Sequence, residues 1–353
     1  MSVMSQSQDK DIIALLQKLH FVNVNKIADS LQGSVWRATL RADSSSGARP
    51  MVIKVANQYL QVNSLGRIGQ QMVKCQEDII SEAKILKFAT KHADCPKSII
   101  RFYQLLKTET DLFLFMEDGG DSLFDFVTNA HALIQSGQLD IEHWKEVSKL
   151  IFKQMLHCIE YLHSKNICHG DVSMENFLIS GASLKHQTPV LTDNDSGDSL
   201  DGNDEVADTV EYELEKIQIK LCDFGLATLF ANDKCLSNKW CGKKNYKSPE
   251  VVAKKKVFRA KKNDIWCLGV TLFMMSTGNA PWDEASETDE IYVYMANGFM
   301  KGILKSWNLS KFVNDDLLDL FESIFQSEVK RISLPEIQSH SWLHAKPDVD
   351  NDD

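Results

Sequence analysis

A lysine set in an apolar strand is the first residue of this 353-residue sequence that demands a chemical partner. Lys54 lies within MVIKV, and the β-branched residues around it predict a strand that is at least partly buried. A buried ammonium group is costly in free energy unless an acidic group lies beside it. The candidate partner is Glu82, on a helix predicted over 76–90 from apolar residues at helical spacing. The sequence thus predicts a Lys54–Glu82 ion pair, although a strand lysine taken alone more often faces solvent.

Two later segments place acidic and amide side chains next to apolar strands. ICHGDVSMENFLI carries His169, Asp171 and Asn176, and IKLCDFGLA carries Asp223 in the triplet DFG. The first segment resembles the catalytic loop HRDLxxxxN of eukaryotic protein kinases, and the second contains the complete DFG motif of that family. Upstream, KIADSLQGSVWRA resembles the kinase glycine-rich loop GxGxxGxV. Only one of its three glycines, Gly33, is kept, so this segment alone is better explained as an ordinary hairpin turn.

The remaining kinase signatures follow in the family's order. SPE at 248–250 stands where APE is usual, DIWCLG resembles DxWSxG, and HSWL resembles the closing HxW. Arg331 stands where an arginine normally pairs with the glutamate of that triplet, here Glu250. Together these motifs make chance agreement improbable, and the resemblance to a eukaryotic protein kinase covers residues 21–343. MEN at 174–176 and Tyr246 resemble the Ser/Thr type of the family.

The resemblance implies transfer of a phosphoryl group from ATP with the help of Mg²⁺. Lys54 would hold the α- and β-phosphates, and Glu82 would orient Lys54. Asp171 would act as the catalytic base that accepts the proton of the substrate hydroxyl. Asn176 and Asp223 would ligate Mg²⁺, a hard cation that prefers oxygen ligands.

The resemblance also implies a pocket for the adenosine part of ATP. Its predicted lining consists of Ile27, Ala28, Ser30, Gly33, Val35, Val52, Met116, Glu117, Gly119, Asp121 and Leu178. Among these, the aliphatic residues would sandwich the adenine, Met116 would be the gatekeeper, and Asp121 would contact the ribose. Backbone groups of Glu117 and Gly119 would bond the adenine edge, but MEDGG is shorter than the usual hinge, which leaves the donor open. Core packing explains the apolar members equally well.

The elements that position these residues divide into a β-rich and a helical part. This pattern predicts a small β-rich lobe followed by a larger helical lobe, and the resemblance implies an α+β, bilobal protein-kinase fold, with one helix in the N-lobe. The predicted division is an extension (1–20), an N-lobe (21–117), a C-lobe (118–343) with an acidic insertion (187–216), and an acidic tail (344–353). Within the extension, DKDIIALLQKLH predicts a short amphipathic helix packed on the small lobe.

Three positions depart from the family pattern. Gly170 replaces the arginine of HRD, which commonly pairs with a phosphate on the activation segment, so we expect activity that does not depend on phosphorylation there. Ser173 replaces the lysine that normally supports the γ-phosphate, and Lys243 replaces the threonine that meets that lysine. The two groups are either exchanged in a compensating swap, or Lys243 points to solvent.

Composition and charge narrow the class of protein further. A content of 43% hydrophobic and 25% charged residues excludes a fibrous, wholly disordered or membrane-bundle protein. The eight cysteines form no CxxC pair, which favours reduced thiols over a disulfide or zinc framework. The net charge of −10 is concentrated, because residues 191–216 carry ten acids and one base and the tail adds four acids. The stretch 191–209 predicts a disordered loop, either passive or able to dock a partner.

These features favour an active Ser/Thr protein kinase, with a pseudokinase or scaffold as the alternative. The departures at Gly170 and Ser173 favour the alternative, whereas the retained lysine, acids and asparagine oppose it. A small-molecule phosphotransferase is disfavoured by the SPE segment. We expect a protein substrate, no nucleic-acid partner, no membrane partner, a monomer, and a cytoplasmic location with access to the nucleus. Nine bases within 243–262 predict a preference for acidic substrates, which Glu175 would oppose.

Overall fold

The computed structural model describes residues 3–41, 47–69, 71–187 and 209–344. The strands are β1 (Phe21–Ser30), β2 (Gly33–Leu40), β3 (Arg49–Asn57), β4 (Leu65–Ile68), β5 (Gln71–Lys74), β6 (Phe102–Lys107), β7 (Asp111–Glu117), β8 (Asp121–Ser122), β9 (Ile167–Cys168), β10 (Phe177–Ser180), β11 (Leu184–Gln187), β12 (Thr209–Tyr212), β13 (Gln218–Leu221), β14 (Thr228–Leu229), β15 (Leu236–Ser237) and β16 (Phe258–Arg259). The helices are α1 (Val3–Lys18), α2 (Gln58–Val62), α3 (Ile79–Thr90), α4 (Leu123–Gln135), α5 (Ile141–Ser164), α6 (Pro249–Val252), α7 (Ala260–Thr277), α8 (Glu290–Tyr294), α9 (Met300–Ser306), α10 (Asp315–Ile324), α11 (Leu334–Gln338) and α12 (Ser341–His344).

The N-terminal part is an antiparallel sheet in the order β1-β2-β3-β7-β6, with helices on both faces. On one face, α3 starts at Asp78, whose side chain accepts a hydrogen bond from the Ile80 N–H, and the helix buries its apolar stripe. On the other face, α1 buries Ile12 and Leu16 against aromatic residues of the sheet. The predicted helix at 9–20 is therefore present and begins earlier than expected.

The C-terminal part is built around α5 and α7. Helix α7 is buried on nearly every side, which explains why its sequence is apolar almost throughout. Arg331 and Glu250 form a fully buried ion pair with nitrogen–oxygen distances of 2.6 and 3.0 Å. Burial opposes ionisation of Glu250, but the Arg331 guanidinium holds the pKa of that carboxyl below its usual value. The predicted bilobal α+β fold is confirmed.

The acidic insertion is shorter than predicted. Strands β10 and β13 pair as expected, with Phe177 opposite Leu221, but β11 and β12 form a second antiparallel pair on the C-lobe. Tyr212 is buried there, and its ring packs against that of Phe126 with the centroids 4.8 Å apart and the planes tilted by 56°. Residues 209–216 thus belong to the fold because their apolar side chains have a surface to cover. Most of the stretch predicted to be disordered, 191–209, lies outside the described residues, as does the tail from 345.

A second hairpin, β4–β5, has no counterpart in the sequence predictions. It lies between α2 and α3, and Gly66 packs beside Leu31 at the tip of the β1–β2 turn. The part of the chain that the structure describes contains no helix long and apolar enough to cross a membrane. The eight cysteines, all of them described, are free.

Candidate active site

The predicted ion pair lies at the centre of a cleft between the lobes. Lys54 Nζ, on β3, lies 3.0 Å from Glu82 Oε2 on α3 and 3.0 Å from Asp223 Oδ1. A third carboxylate, Glu77, lies 3.6 Å away. Burial alone would lower the pKa of Lys54, but Asp223, Glu82 and Glu77 together hold it well above its ordinary value. The ammonium therefore stays charged and anchors three acids.

The catalytic loop is held by a buried carboxylate from α7. Asp264 accepts hydrogen bonds from the His169 and Gly170 N–H groups, each at 3.0 Å. Within the loop, Asn176 Nδ2 donates to the Asp171 carbonyl at 2.7 Å and to Asp171 Oδ2 at 2.8 Å. These bonds orient the Asp171 carboxylate. Its other oxygen, Oδ1, is buried and has no hydrogen-bond partner among the described residues.

The DFG triplet turns its acid towards the lysine. Asp223 has a φ of 59°, in the left-handed region, and its Oδ1 accepts a hydrogen bond from the Gly225 N–H. Phe224 is buried, and its ring lies 5.1 Å from that of His169. His169 in turn contacts the Cys222 carbonyl through Nε2 at 3.0 Å. The triplet and the catalytic loop therefore form one packed unit.

The oxygen atoms around this unit suit a hard divalent cation. Asn176 uses its amide nitrogen on Asp171, which leaves its carbonyl oxygen available. Asp223 uses only Oδ1 in hydrogen bonds within the described residues. A buried, unpartnered carboxylate oxygen lies beside them on Asp171. This donor set fits Mg²⁺, and Asn176 and Asp223 are the residues that would hold it.

A cavity of about 590 Å³ runs from this acidic cluster along the cleft to the hinge. Of the predicted nucleotide-binding residues it is lined by Ile27, Ala28, Ser30, Val35, Val52, Lys54, Met116, Glu117 and Leu178. Glu82, Asn176 and Asp223 also line it, together with Cys222. The structure therefore places most of the predicted nucleotide-binding residues on the wall of one cavity.

Three predicted residues do not line the cavity. Gly33 lies against β3, where a Cβ atom would stand 2.1 Å from the Val55 carbonyl oxygen, so its glycine serves strand packing. Gly119 is buried beside Leu178, and Gly120 takes its place in the lining. The Asp121 side chain is exposed at the outer rim. The prediction of these three residues as cavity lining is therefore wrong: Gly33 packs on β3, Gly119 packs on Leu178, and the Asp121 side chain faces outward.

The hinge is fixed by contacts that the sequence did not reveal. The Glu117 N–H donates to the Arg101 carbonyl at 3.0 Å, so it is not free to donate to adenine. Arg37, on β2, lies 2.9 Å from Asp118 and also donates to the Gly120 carbonyl at 2.9 Å. Arg37 is 81 residues from Asp118 and 83 residues from Gly120 in the chain. No local sequence signal could have found them.

Lys243 reaches the catalytic aspartate from the activation segment. Its Nζ donates to Ser173 Oγ at 2.6 Å and lies 3.5 Å from Asp171 Oδ2. The interpretation in which Lys243 points to solvent is therefore wrong. The ammonium and the hydroxyl meet beside Asp171 with their positions along the chain exchanged relative to the family pattern.

The activation segment is anchored at several points along its length. Strand β14 pairs with β9, and β15 pairs with β16. The Trp240 indole N–H donates to the Lys255 carbonyl at 2.9 Å. Gly170 has a φ of 76°, and a Cβ atom there would stand 3.0 Å from the Leu226 carbonyl oxygen. An arginine at this position would be strained, so the segment is held without that side chain.

The comparisons with known proteins agree with this geometry. The model of the protein kinase domain matches residues 45–343, so the chain belongs to the protein kinase domain family. A probable serine/threonine-protein kinase of Dictyostelium discoideum is 27% identical over 330 residues, which cover 92% of this chain and 31% of that protein. The SNF-related serine/threonine-protein kinase of Homo sapiens is 27% identical over 312 residues, 82% of this chain and 34% of that protein.

A third relative is more distant. The carbon catabolite-derepressing protein kinase of Candida glabrata is 23% identical over 246 residues, 69% of this chain and 31% of that protein. The chain thus spans about a third of the length of these curated relatives.

Proposed function

We propose that this chain transfers the γ-phosphate of ATP to Ser or Thr hydroxyls of protein substrates. The observation that carries the proposal is the connected cluster of Lys54, Glu82, Asp223, Asn176 and Asp171 in one cleft. A protein that only binds partners has no physical need for three acids, an amide and a lysine arranged around a nucleotide-sized cavity. Membership of the protein kinase family and the names of the relatives support the same reading.

In this mechanism the protein mainly orients the reacting groups and neutralises the charge of the phosphates. Lys54, oriented by Glu82, would bind the phosphate chain, and Asn176 and Asp223 would hold Mg²⁺. When bound, the cation neutralises charge on the phosphate oxygens. The Asp171 carboxylate accepts a hydrogen bond from the substrate hydroxyl and takes its proton. The hydroxyl oxygen bonds to the γ-phosphorus as the bond from the γ-phosphorus to the β-phosphate oxygen breaks and ADP leaves. Lys243, 3.5 Å from Asp171, adds a positive charge where the family lysine would stand.

Substrate choice is proposed from relatives and from local charge. MEN in the catalytic loop and Tyr246 resemble the Ser/Thr type, and the relatives carry that description in their names. The bases of residues 243–262 support a preference for acidic or phosphorylated residues around the target. Glu175 opposes it only weakly, because Tyr246 donates to it at 3.3 Å and Lys243 lies 3.7 Å away.

The test is Mg²⁺-dependent phosphorylation of a randomised Ser/Thr/Tyr peptide library by the purified chain. We expect transfer to Ser and Thr, and we expect Asp171→Asn to lower kcat by about 10²- to 10⁴-fold without loss of ATP binding. Asp223→Asn should abolish the Mg²⁺-dependent rate. ATP binding without transfer in the unmodified chain would establish the pseudokinase alternative, and more than about a tenth of the rate in Asp223→Asn would refute its metal role.

A further inference from the structure

The β4–β5 hairpin holds the tip of the loop that covers the cleft. The Arg67 N–H donates to the Leu31 carbonyl at 2.6 Å, and Gln32 Nε2 donates to the Leu65 carbonyl at 3.0 Å. Gln32 is itself buried, and its carbonyl accepts from the Asn57 N–H. The turn between β1 and β2 is thus clamped to a neighbouring element. The hairpin also places Arg67 and Ile68 on the wall of the cavity.

The loop itself has little freedom to wrap around phosphates. Ala28 and Ser30 stand where a flexible glycine loop would allow close backbone approach, and both line the cavity. Gly33, the one remaining glycine, packs against β3 and lies away from the cavity wall. Backbone N–H groups at this loop are therefore a reduced source of phosphate contacts, and another donor is needed.

The cations of the cavity wall differ in whether they are already paired with other residues. Six acids line the cavity: Asp29, Glu77, Glu82, Glu117, Glu175 and Asp223. Of the three cations on the wall, Lys54 is surrounded by three carboxylates, and Arg37 is bound to Asp118 and the Gly120 carbonyl. The Arg67 guanidinium has no ion pair or hydrogen bond with any residue in the described ranges. Because acids outnumber cations on the cavity wall, a bound polyphosphate needs a cation that is not already paired.

We propose that Arg67 is a phosphate-binding residue, whose guanidinium contacts the phosphate chain of ATP from the side of the loop tip. This inference rests on the proposed function for the identity of the nucleotide. A guanidinium presents a planar fork of N–H donors that matches two phosphate oxygens at once. The β4–β5 hairpin thereby supplies, through the Arg67 side chain, contacts that a glycine-rich loop makes with its backbone.

The experiment compares nucleotide binding by Arg67→Ala, Arg67→Lys and Lys74→Ala through titration calorimetry. Lys74 is an exposed base on the same hairpin and does not line the cavity, so its variant controls for general charge. We expect Arg67→Ala to weaken binding of Mg·ATP by about 10- to 100-fold. Arg67→Lys should weaken it less. Adenosine, which lacks phosphates, should bind all variants equally, and Lys74→Ala should bind Mg·ATP like the unmodified chain.

Three results would overturn the assignment. They are unchanged Mg·ATP affinity in Arg67→Ala, an equal loss for adenosine and Mg·ATP, or an equal loss in Lys74→Ala. A rise only in the KM of an acidic peptide would assign Arg67 to the protein substrate instead. The binding readout is independent of phosphoryl transfer, so an inactive chain that binds Mg·ATP would refute the proposed function and leave this test intact. Thermal unfolding of each variant verifies that the fold is retained.

Discussion

Lys243 approaches Asp171 from the activation segment, whereas the family lysine approaches from the catalytic loop. Its bond to Ser173 at 2.6 Å and its position 3.5 Å from Asp171 put the positive charge where the γ-phosphate is expected. We expect Lys243→Ala to lower kcat by about tenfold or more, because an ordered charge at the reacting group is lost. Steady-state kinetics on one peptide substrate measure this change.

The control is the reciprocal exchange of the two residues. Ser173→Lys combined with Lys243→Thr restores the family arrangement and should recover much of the rate that Lys243→Ala loses. Lys247→Ala removes a neighbouring base that has no hydrogen bond or ion pair with Asp171 and should leave kcat unchanged. Equal rates in Lys243→Ala and the unmodified chain would contradict a role for Lys243 in transfer.

Cys222 gives a direct report on the cavity, because it lines the wall immediately before the DFG triplet. Burial raises the pKa of its thiol, and the charges of Asp223 and Glu82 raise it further. The thiolate is therefore scarce at neutral pH, and its fraction grows by about tenfold per pH unit while the pH stays below the raised pKa. We expect an ATP-site electrophile to label Cys222 slowly at pH 7 and faster at pH 9, with protection by excess ATP.

The comparison site for this labelling is Cys95, which is half-buried and does not line the cavity. Mass spectrometry of the labelled chain should show ATP protection at Cys222 and none at Cys95, and Cys222→Ala should lose the protected signal. Labelling of Cys222 that ATP does not slow would contradict the position of this thiol in the nucleotide site.

At the scale of elements, backbone pairing anchors the activation segment, and Gly170 supplies no arginine side chain for a phosphate clamp. Strand pairs β9–β14 and β15–β16 anchor this segment at residues 228–229 and 236–237, and the Trp240–Lys255 bond anchors it further along the chain. Thr228 Oγ1 accepts a hydrogen bond from Lys239 at 3.1 Å, which occupies that base within the segment. We expect phosphatase treatment of the purified chain, and the variant Thr228→Ala, to leave most of the transfer rate.

Trp240→Ala is the variant that tests the anchoring of the activation segment, which lies between DFG at 223–225 and SPE at 248–250. It removes the anchor without touching a hydroxyl that could carry a phosphate, and it should lower the transfer rate where phosphatase does not. A loss of activity on phosphatase treatment that is regained by phosphorylation at Thr228 or Ser237 would show that a phosphate clamp exists despite Gly170.

Elements defined by local patterns were predictable from the sequence, and elements defined by distant contacts were not. Lys54 and Glu82 could be paired because the apolar strand leaves one lysine to be neutralised and the following helix carries an acid in the place that the family resemblance implies. The β4–β5 hairpin has exposed, weakly patterned strands, so no periodicity marks it. The hinge position of Gly120 depends on Arg37, which is 83 residues away. The fold of 209–216 depends on the surface that α4 and α5 offer to Tyr212.

At the scale of the whole molecule, the nine bases of residues 243–262 are less free than their number suggests. Lys243 is engaged at the catalytic aspartate, Lys244 pairs with Asp283, and Lys255 lies 3.9 Å from Glu328. Lys262 donates to the carbonyl oxygens of Arg331 and Ile332. Lys261 donates to the Asn166 side-chain oxygen, and the side chains of Lys247, Lys254, Lys256 and Arg259 have no ion pair or hydrogen bond among the described residues. The positive field that remains is therefore modest and lies beside the SPE triplet at 248–250.

This remaining field predicts a preference for acidic or phosphorylated residues next to the target Ser or Thr. Peptides that differ only in flanking charge should differ several-fold in kcat/KM. The difference should shrink as salt rises, because exposed charges are screened beyond about 8 Å at physiological ionic strength. Replacing Lys254 and Lys256 by alanine should reduce the preference, whereas Lys301→Ala, a distant exposed base paired with Asp315, should not.

Whether the chain's own acidic segment competes for the same field can be tested by deletion. A version lacking 191–206 keeps β12 and its pairing with β11, because Thr209 lies opposite Gln187, and it removes six acids. If the acidic segment occupies the basic surface, this version should use acidic peptides more efficiently at low salt and equally well at high salt. Unchanged kinetics would refute autoinhibition by the segment. A preference for arginine-rich peptides in both versions would refute the acidic preference itself, because Glu175 would then outweigh the unpaired bases Lys247, Lys254, Lys256 and Arg259.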